Sequence, residues 1–142
     1  MNMNFAAWSR GTKVLLIAGL ILLIDSFLDW QQVSFGGVTA GINMWHGIGI
    51  LAGLLVIFLL LWELAQVAGV LSQVTLPVSA ALISVALAAA TALFTIIKFF
   101  VADTARHWPA WVGLILAIVI AIGGWLKFSE APAAAAMPST PS

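Results

Sequence analysis

The sequence predicts an all-α fold: a four-helix transmembrane bundle with short loops and a disordered C-terminal tail. Three observations predict it. Of 142 residues, 63% are hydrophobic and 7% charged, against about 45–50% and about 25% in soluble domains. The mean hydropathy is +1.17. Four apolar windows approach the roughly 20 residues needed to cross a bilayer. A soluble domain of this size leaves about a third of its surface in water and could not hide so much apolar area. A soluble enzyme is therefore excluded. The formal net charge of zero removes the basic footprint of a nucleic-acid binder.

The first window covers residues 14–30, the second 45–64, the third 78–101 and the fourth 109–126. They form one domain, residues 1–130, and residues 131–142, rich in Ala, Pro and Ser, form the tail. Gly11-Thr12 opens the first helix, with Thr12 as its N-cap. The run is long and no A-x-A site follows it, so it reads as a retained span rather than a cleaved signal. Between VSF and VTA, Gly36-Gly37 forms the turn of a short extended hairpin. In the second span Gly49 and Gly53 make a G-x-x-x-G helix-packing step. Pro77 and Pro109 suit the first turns of the third and fourth helices. Small residues dominate the third span, with Ala80, Ser84 and Ala88 in one stripe, which makes it the most enclosed helix.

Seven tryptophans and no tyrosine are present. Trp8 and Trp30, Trp45 and Trp62, and Trp108 and Trp125 bracket the first, second and fourth spans. Tryptophan favours the membrane interface, so these pairs read as interfacial anchors. The W-H-G at Trp45 and the W-V-G at Trp111 echo each other as two parallel helical hairpins would.

The ionisable groups fall into two layers. Asp25, Asp29, Lys98, Asp103 and Arg106 lie towards one surface with His46 and His107; Arg10, Lys13, Glu63, Lys127 and Glu130 lie towards the other. Four spans put both termini on one side, and the excess of Arg10, Lys13 and Lys127 there makes that side cytoplasmic. The candidate intramembrane polar sites are Asp25, Lys98, Glu63 and His46. Asp25 lies about 7 Å inside Trp30 on a helical rise and needs a partner, protonation or water; Lys98, at a similar depth, is the expected partner. Glu63 reaches Lys13, Lys127 or the interface. No H-x-x-x-H or H-E-x-x-H spacing occurs, so neither metal nor cofactor is expected. Without cysteine or G-x-S-x-G, no catalytic constellation is visible and no enzyme is expected.

The stretch SFLDWQQVSFGGVTAGINMWHGIG resembles a group of uncharacterised actinobacterial four-span membrane proteins, in which the first span ends in a Phe-Leu-Pro-Trp type motif. The matching residues are Phe27, Leu28, Trp30, Gly36, Gly37, Trp45 and Gly47; the departures are Asp29 in place of Pro and His46 between Trp and Gly. The resemblance covers mainly the first half and implies a membrane location and four helices, with no activity. Small multidrug transporters are a poorer comparison, because they carry a Glu within the first helix, where this chain has only Asp25 near the far end. The sequence thus points to a non-enzymatic structural or accessory protein of the cell membrane. Its partners are the lipid bilayer and either further copies or a larger membrane complex. The alternative is a homo-oligomeric solute or proton-coupled transporter or channel using Asp25 and Glu63.

Overall fold

The computed structural model describes residues 8–70 and 79–136. Among them are α1 (Arg10–Asp25), β1 (Gln31–Phe35), β2 (Val38–Ile42), α2 (Gly49–Val67), α3 (Ala80–Val101) and α4 (Trp108–Ala136). Each helix packs on two others, α1 on α2 and α4, and α3 on α2 and α4. The fold is mostly helical but not strictly all-α, because the hairpin forms a hydrogen-bonded antiparallel ladder.

Three helices are long and apolar enough to cross a membrane: α2, α3, and α4 over Trp108–Ser129. The expected first span is shorter. Ser9, not Thr12, caps α1, its hydroxyl accepting the Thr12 N–H at 3.1 Å. The helix stops at Asp25, where Ser26 bonds the Leu23 carbonyl through its side chain at 2.5 Å. Sixteen residues rise about 24 Å, under the roughly 30 Å of a hydrocarbon core. Ser79 caps α3 in the same manner as Ser9 caps α1, accepting from Leu82 N–H at 3.1 Å. Pro77 lies outside the described residues. Pro109 does occupy the first turn of α4, where its missing N–H removes no helical bond. Helix α4 runs on to Ala136, past position 131, where the Ala/Pro/Ser-rich stretch expected to be disordered begins; residues 137–142 lie outside the described residues.

The hairpin turn has φ of +58° at Gly36 and +82° at Gly37. Positive φ at both central residues defines the type I′ turn, whose twist matches that of paired strands. The Gly49 and Gly53 step serves a different purpose from helix pairing. A Cβ on Gly49 would strike the Met44 carbonyl, and one on Gly53 the Trp45 indole. The connection into α2 therefore folds back onto the helix's own glycines. Helix α2 starts four residues after Trp45, whereas Trp111 lies inside α4, so the two W-x-G segments are not structural equivalents.

Side chains are arranged for lipid. The shared core is built from Leu15, Ala18 and Leu22 of α1, Ala52, Val56 and Leu59 of α2, Ala88 of α3, and Leu116 and Ile120 of α4. Large apolar groups such as Phe58, Leu61, Leu93 and Ile115 face outward. Of the three helices long enough to cross, α4 is the most enclosed, with 44% of its apolar window buried against 28% in α3; the shorter α1 buries eight of its 16 residues. The small residues of α3 serve both its neighbours: Ser84 meets Trp62 of α2, and Ala88 sits against Gly124 of α4. Trp108, Trp111 and Trp125 are exposed, as interfacial anchors should be. Trp45 and Trp62 are half-buried. Trp30 is fully buried and is no anchor: its ring lies on the backbone of Gly113, where a Cβ would collide with it.

Gly113→Val is expected to lower stability by about 1–3 kcal/mol through overpacking against Trp30. Thermal unfolding in detergent micelles, read by near-ultraviolet circular dichroism, checks it.

Candidate functional site

Polar side chains gather at the two ends of the helices, and the two gatherings differ in how well they are closed. At the end near the termini, Glu63 of α2 is fully buried. Its carboxylate receives Lys127 Nζ at 2.5 Å, Ser84 Oγ at 2.6 Å and Gln66 Nε2 at 3.0 Å. Lys127 also donates to Gln66 Oε1 at 2.9 Å. Trp62 Nε1 donates to Ser84 Oγ at 3.0 Å. Helical spacing explains the set on α2: Glu63 and Gln66 are three apart and share a face, while Trp62 turns towards α3. Helix α3 brings Ser84 and α4 brings Lys127. Helix α1 closes the layer with Gly11, where a Cβ would fall 2.7 Å from the Lys127 backbone nitrogen. All four helices thus meet in one neutral, multiply hydrogen-bonded layer. A carboxylate in lipid is costly unless it is matched in this way.

Of the partners expected for Glu63, the structure selects Lys127. Gln66 belongs by sequence to the same polar layer as Glu63; Ser84 and Trp62 join the site from outside the sequence candidates. Ser84 is the polar member of the small stripe on α3, and the Glu63/Gln66 spacing was a readable sign of a shared face.

At the hairpin end the expected Asp25–Lys98 pair does not form. Asp25 is buried; its Oδ2 accepts Trp30 Nε1 at 3.1 Å, and its Oδ1 has no hydrogen-bond partner among the described residues. Lys98, also buried, donates instead to the backbone carbonyl of His46 at 3.0 Å. The two residues sit on α1 and α3, which are not packing neighbours, and each finds its partner in the chain that crosses the hairpin end. The contribution of His46 is therefore its carbonyl; its ring is exposed, with Nδ1 3.2 Å from Asn43 O. His107 Nδ1 lies 3.3 Å from Asp29 O. Among the described residues no group of three or more His, Asp or Glu gathers around a common point.

Between the two ends, α3 presents a buried row of Ser84, Thr91, Thr95 and Lys98. The hydroxyls of Thr91 and Thr95 have no hydrogen-bond partner among the described residues. The row is interrupted at Ala88, which packs on Gly124. The four surface grooves described are lined by other residues; Asp25, Glu63, Lys98 and Lys127 open into none of them. Chemically, the layer around Glu63 can clamp helices together. Comparison with protein-family models, with curated proteins and with solved structures gave no match.

Removing one partner of the buried pair leaves the other charge uncompensated. Glu63→Leu and Lys127→Met are each expected to cost about 3–5 kcal/mol, and the double variant less than their sum. Asp25→Asn and Lys98→Met, which share no partner, are expected to add within about 0.5 kcal/mol. Denaturation of the purified protein in mixed micelles gives both comparisons.

Proposed function

We propose that the chain is a small multi-pass membrane protein, a four-helix transmembrane bundle with a non-enzymatic structural or accessory role. The observation that supports this most directly is the closure of the Glu63 layer. Its carboxylate, ammonium, amide and hydroxyl satisfy one another across α2, α3 and α4. Such a layer fixes helix register and leaves no reactive group free. A structural or accessory protein needs a fixed shape of this kind to present to lipid, to further copies or to a larger complex. The positive charges Arg10, Lys13 and Lys127 support a cytoplasmic placement of the termini under the positive-inside rule.

A second reading is transport, as a homo-oligomeric carrier or channel using Asp25 and Glu63. The observation in its favour is the set of buried oxygens without partners on Asp25, Thr91 and Thr95, since intramembrane polar groups often mark ion pathways. The packed step between Ala88 and Gly124 weighs against a path within one copy.

Reconstitution into liposomes containing a proton-sensitive dye separates the two. The structural reading expects proton entry equal to that of protein-free vesicles, unchanged by Asp25→Asn or Glu63→Gln. A protein-dependent flux abolished by either variant overturns it in favour of transport.

A further inference from the structure

The hairpin is amphipathic, and nothing among the described residues covers its apolar face. Side chains alternate across a strand, and the register pairs Val33 with Ala40, Phe35 with Val38 and Gln31 with Ile42. One face thus carries Val33, Phe35, Val38, Ala40 and Ile42, with Gln31 at its base. Phe35 is 87% exposed and Val38 68%. The other face carries Gln32, Ser34, Thr39 and Gly41. There Ser34 and Thr39 hydroxyls lie 3.2 Å apart, Gln32 Nε2 donates to Asp29 Oδ2 at 3.3 Å, and the Asp29 carboxylate lies against Gly41. The carboxylate marks this as the face turned to water.

We infer that the hairpin lies flat on the bilayer leaflet at its own end of the helices, with its apolar face in the boundary between headgroups and acyl chains. Two features favour a lipid surface over a protein partner. The first is continuity with the aromatic end of the membrane-crossing helices. Gln31 bridges to Arg106 and donates through Nε2 to Thr104 O at 2.7 Å. The Arg106 guanidinium lies 4.2 Å above the Phe99 ring and 5.9 Å from that of Trp111. Strand β1 therefore leaves from the level of the exposed Trp108 and Trp111, where aromatic side chains mark the interface. An open groove of about 270 Å³ lies between the base of the hairpin and Thr104–Ala105.

The second feature is size. Two strands of five residues present a face of roughly 17 Å by 10 Å. Even doubled for side-chain relief, its area falls well below the roughly 800 Å² per partner of a stable protein interface. A bilayer sets no such threshold, and amphipathic segments partition into it in proportion to their apolar area.

The inference rests on the helices crossing a bilayer, and the test separates the two. The chain has no cysteine, so single cysteines at Phe35, Val38 and Ala40, at Ser34 and Thr39, and at Ile118 on the exposed side of α4 can carry a nitroxide. The labelled full-length protein is placed in vesicles of phosphatidylcholine and phosphatidylglycerol. Collision rates are read with oxygen and with a water-soluble nickel chelate. The expected result is a two-residue period: oxygen-rich, nickel-poor signals at 35, 38 and 40, and a severalfold rise in nickel collisions at 34 and 39. Nickel access at all five hairpin positions, with Ile118 oxygen-rich, overturns the inference while leaving the helices in the membrane. Protection of 35, 38 and 40 from both reagents also overturns it, because protein then covers the face. Nickel access at Ile118 overturns the membrane placement and the inference with it.

Discussion

Trp30 holds the hairpin end of the molecule together. Its indole N–H reaches the carboxylate and the carbonyl of Asp25 at the close of α1. Its backbone N–H bonds the Ile42 carbonyl at the end of β2, and its carbonyl accepts His107 N–H at 2.7 Å, just before α4. Its ring lies on Gly113. One residue thereby fixes the exit from α1, the base of the hairpin, the connection from α3 to α4 and the first turns of α4. The requirement behind this is backbone satisfaction: Trp30 is fully buried, and buried irregular chain must find its hydrogen-bond partners within the protein. The indole also fills a space that the helix interfaces leave open, which is why α4 carries a glycine opposite it.

The opposite end meets the same requirement with side chains. Lys127 and Glu63 would each be costly alone in lipid; together with Gln66 and Ser84 they form a closed set. Between the two ends the core is thin, made mostly of Ala, Val and Leu, and the bulkier side chains are turned out towards the solvent. Helix association in lipid gains little from burying apolar surface, so small residues and close backbone approach take its place. The contacts of Gly123 with Val14 and Leu15, and of Gly124 with Ala88, show α4 using adjacent glycines to approach α1 and α3 at once. That double duty makes α4 the most enclosed of the three helices long enough to cross a membrane.

Much of this was legible in the sequence because hydropathy reports length and solvent directly. The windows at 45–64, 78–101 and 109–126 each contain most of a helix, and Gly36-Gly37 marked the hairpin. What escaped was direction. Tryptophan at a span end predicts an interfacial ring; Trp125 obeys, while Trp30 turns inward because Asp25 and Gly113 offer a partner and a space that lie far apart in the chain. Gly49 and Gly53 have the spacing of a helix-pairing motif, yet they receive Met44 and Trp45 from the preceding loop. Depth alone matched Asp25 with Lys98, but α1 and α3 do not adjoin. For Glu63 the sequence offered three destinations, and only the packing of α4 against α1 and α3 brings Lys127 to it. Periodicity states which residues share a face; it does not state which helix that face meets.

The brevity of α1 has a consequence for the surrounding lipid. Its 16 residues span about 24 Å, whereas the 22 residues of the α4 span reach about 33 Å. On the four-span placement proposed above, the hydrophobic belt is uneven around the perimeter, and acyl chains beside α1 would shorten while those beside α4 need not. Mismatch of this kind costs a fraction of a kcal/mol per ångström and sorts proteins among bilayers of different thickness. On the same placement, a second molecule docking along α1 would remove the thinned annulus, and membrane elasticity would favour that side for association before any specific contact is made.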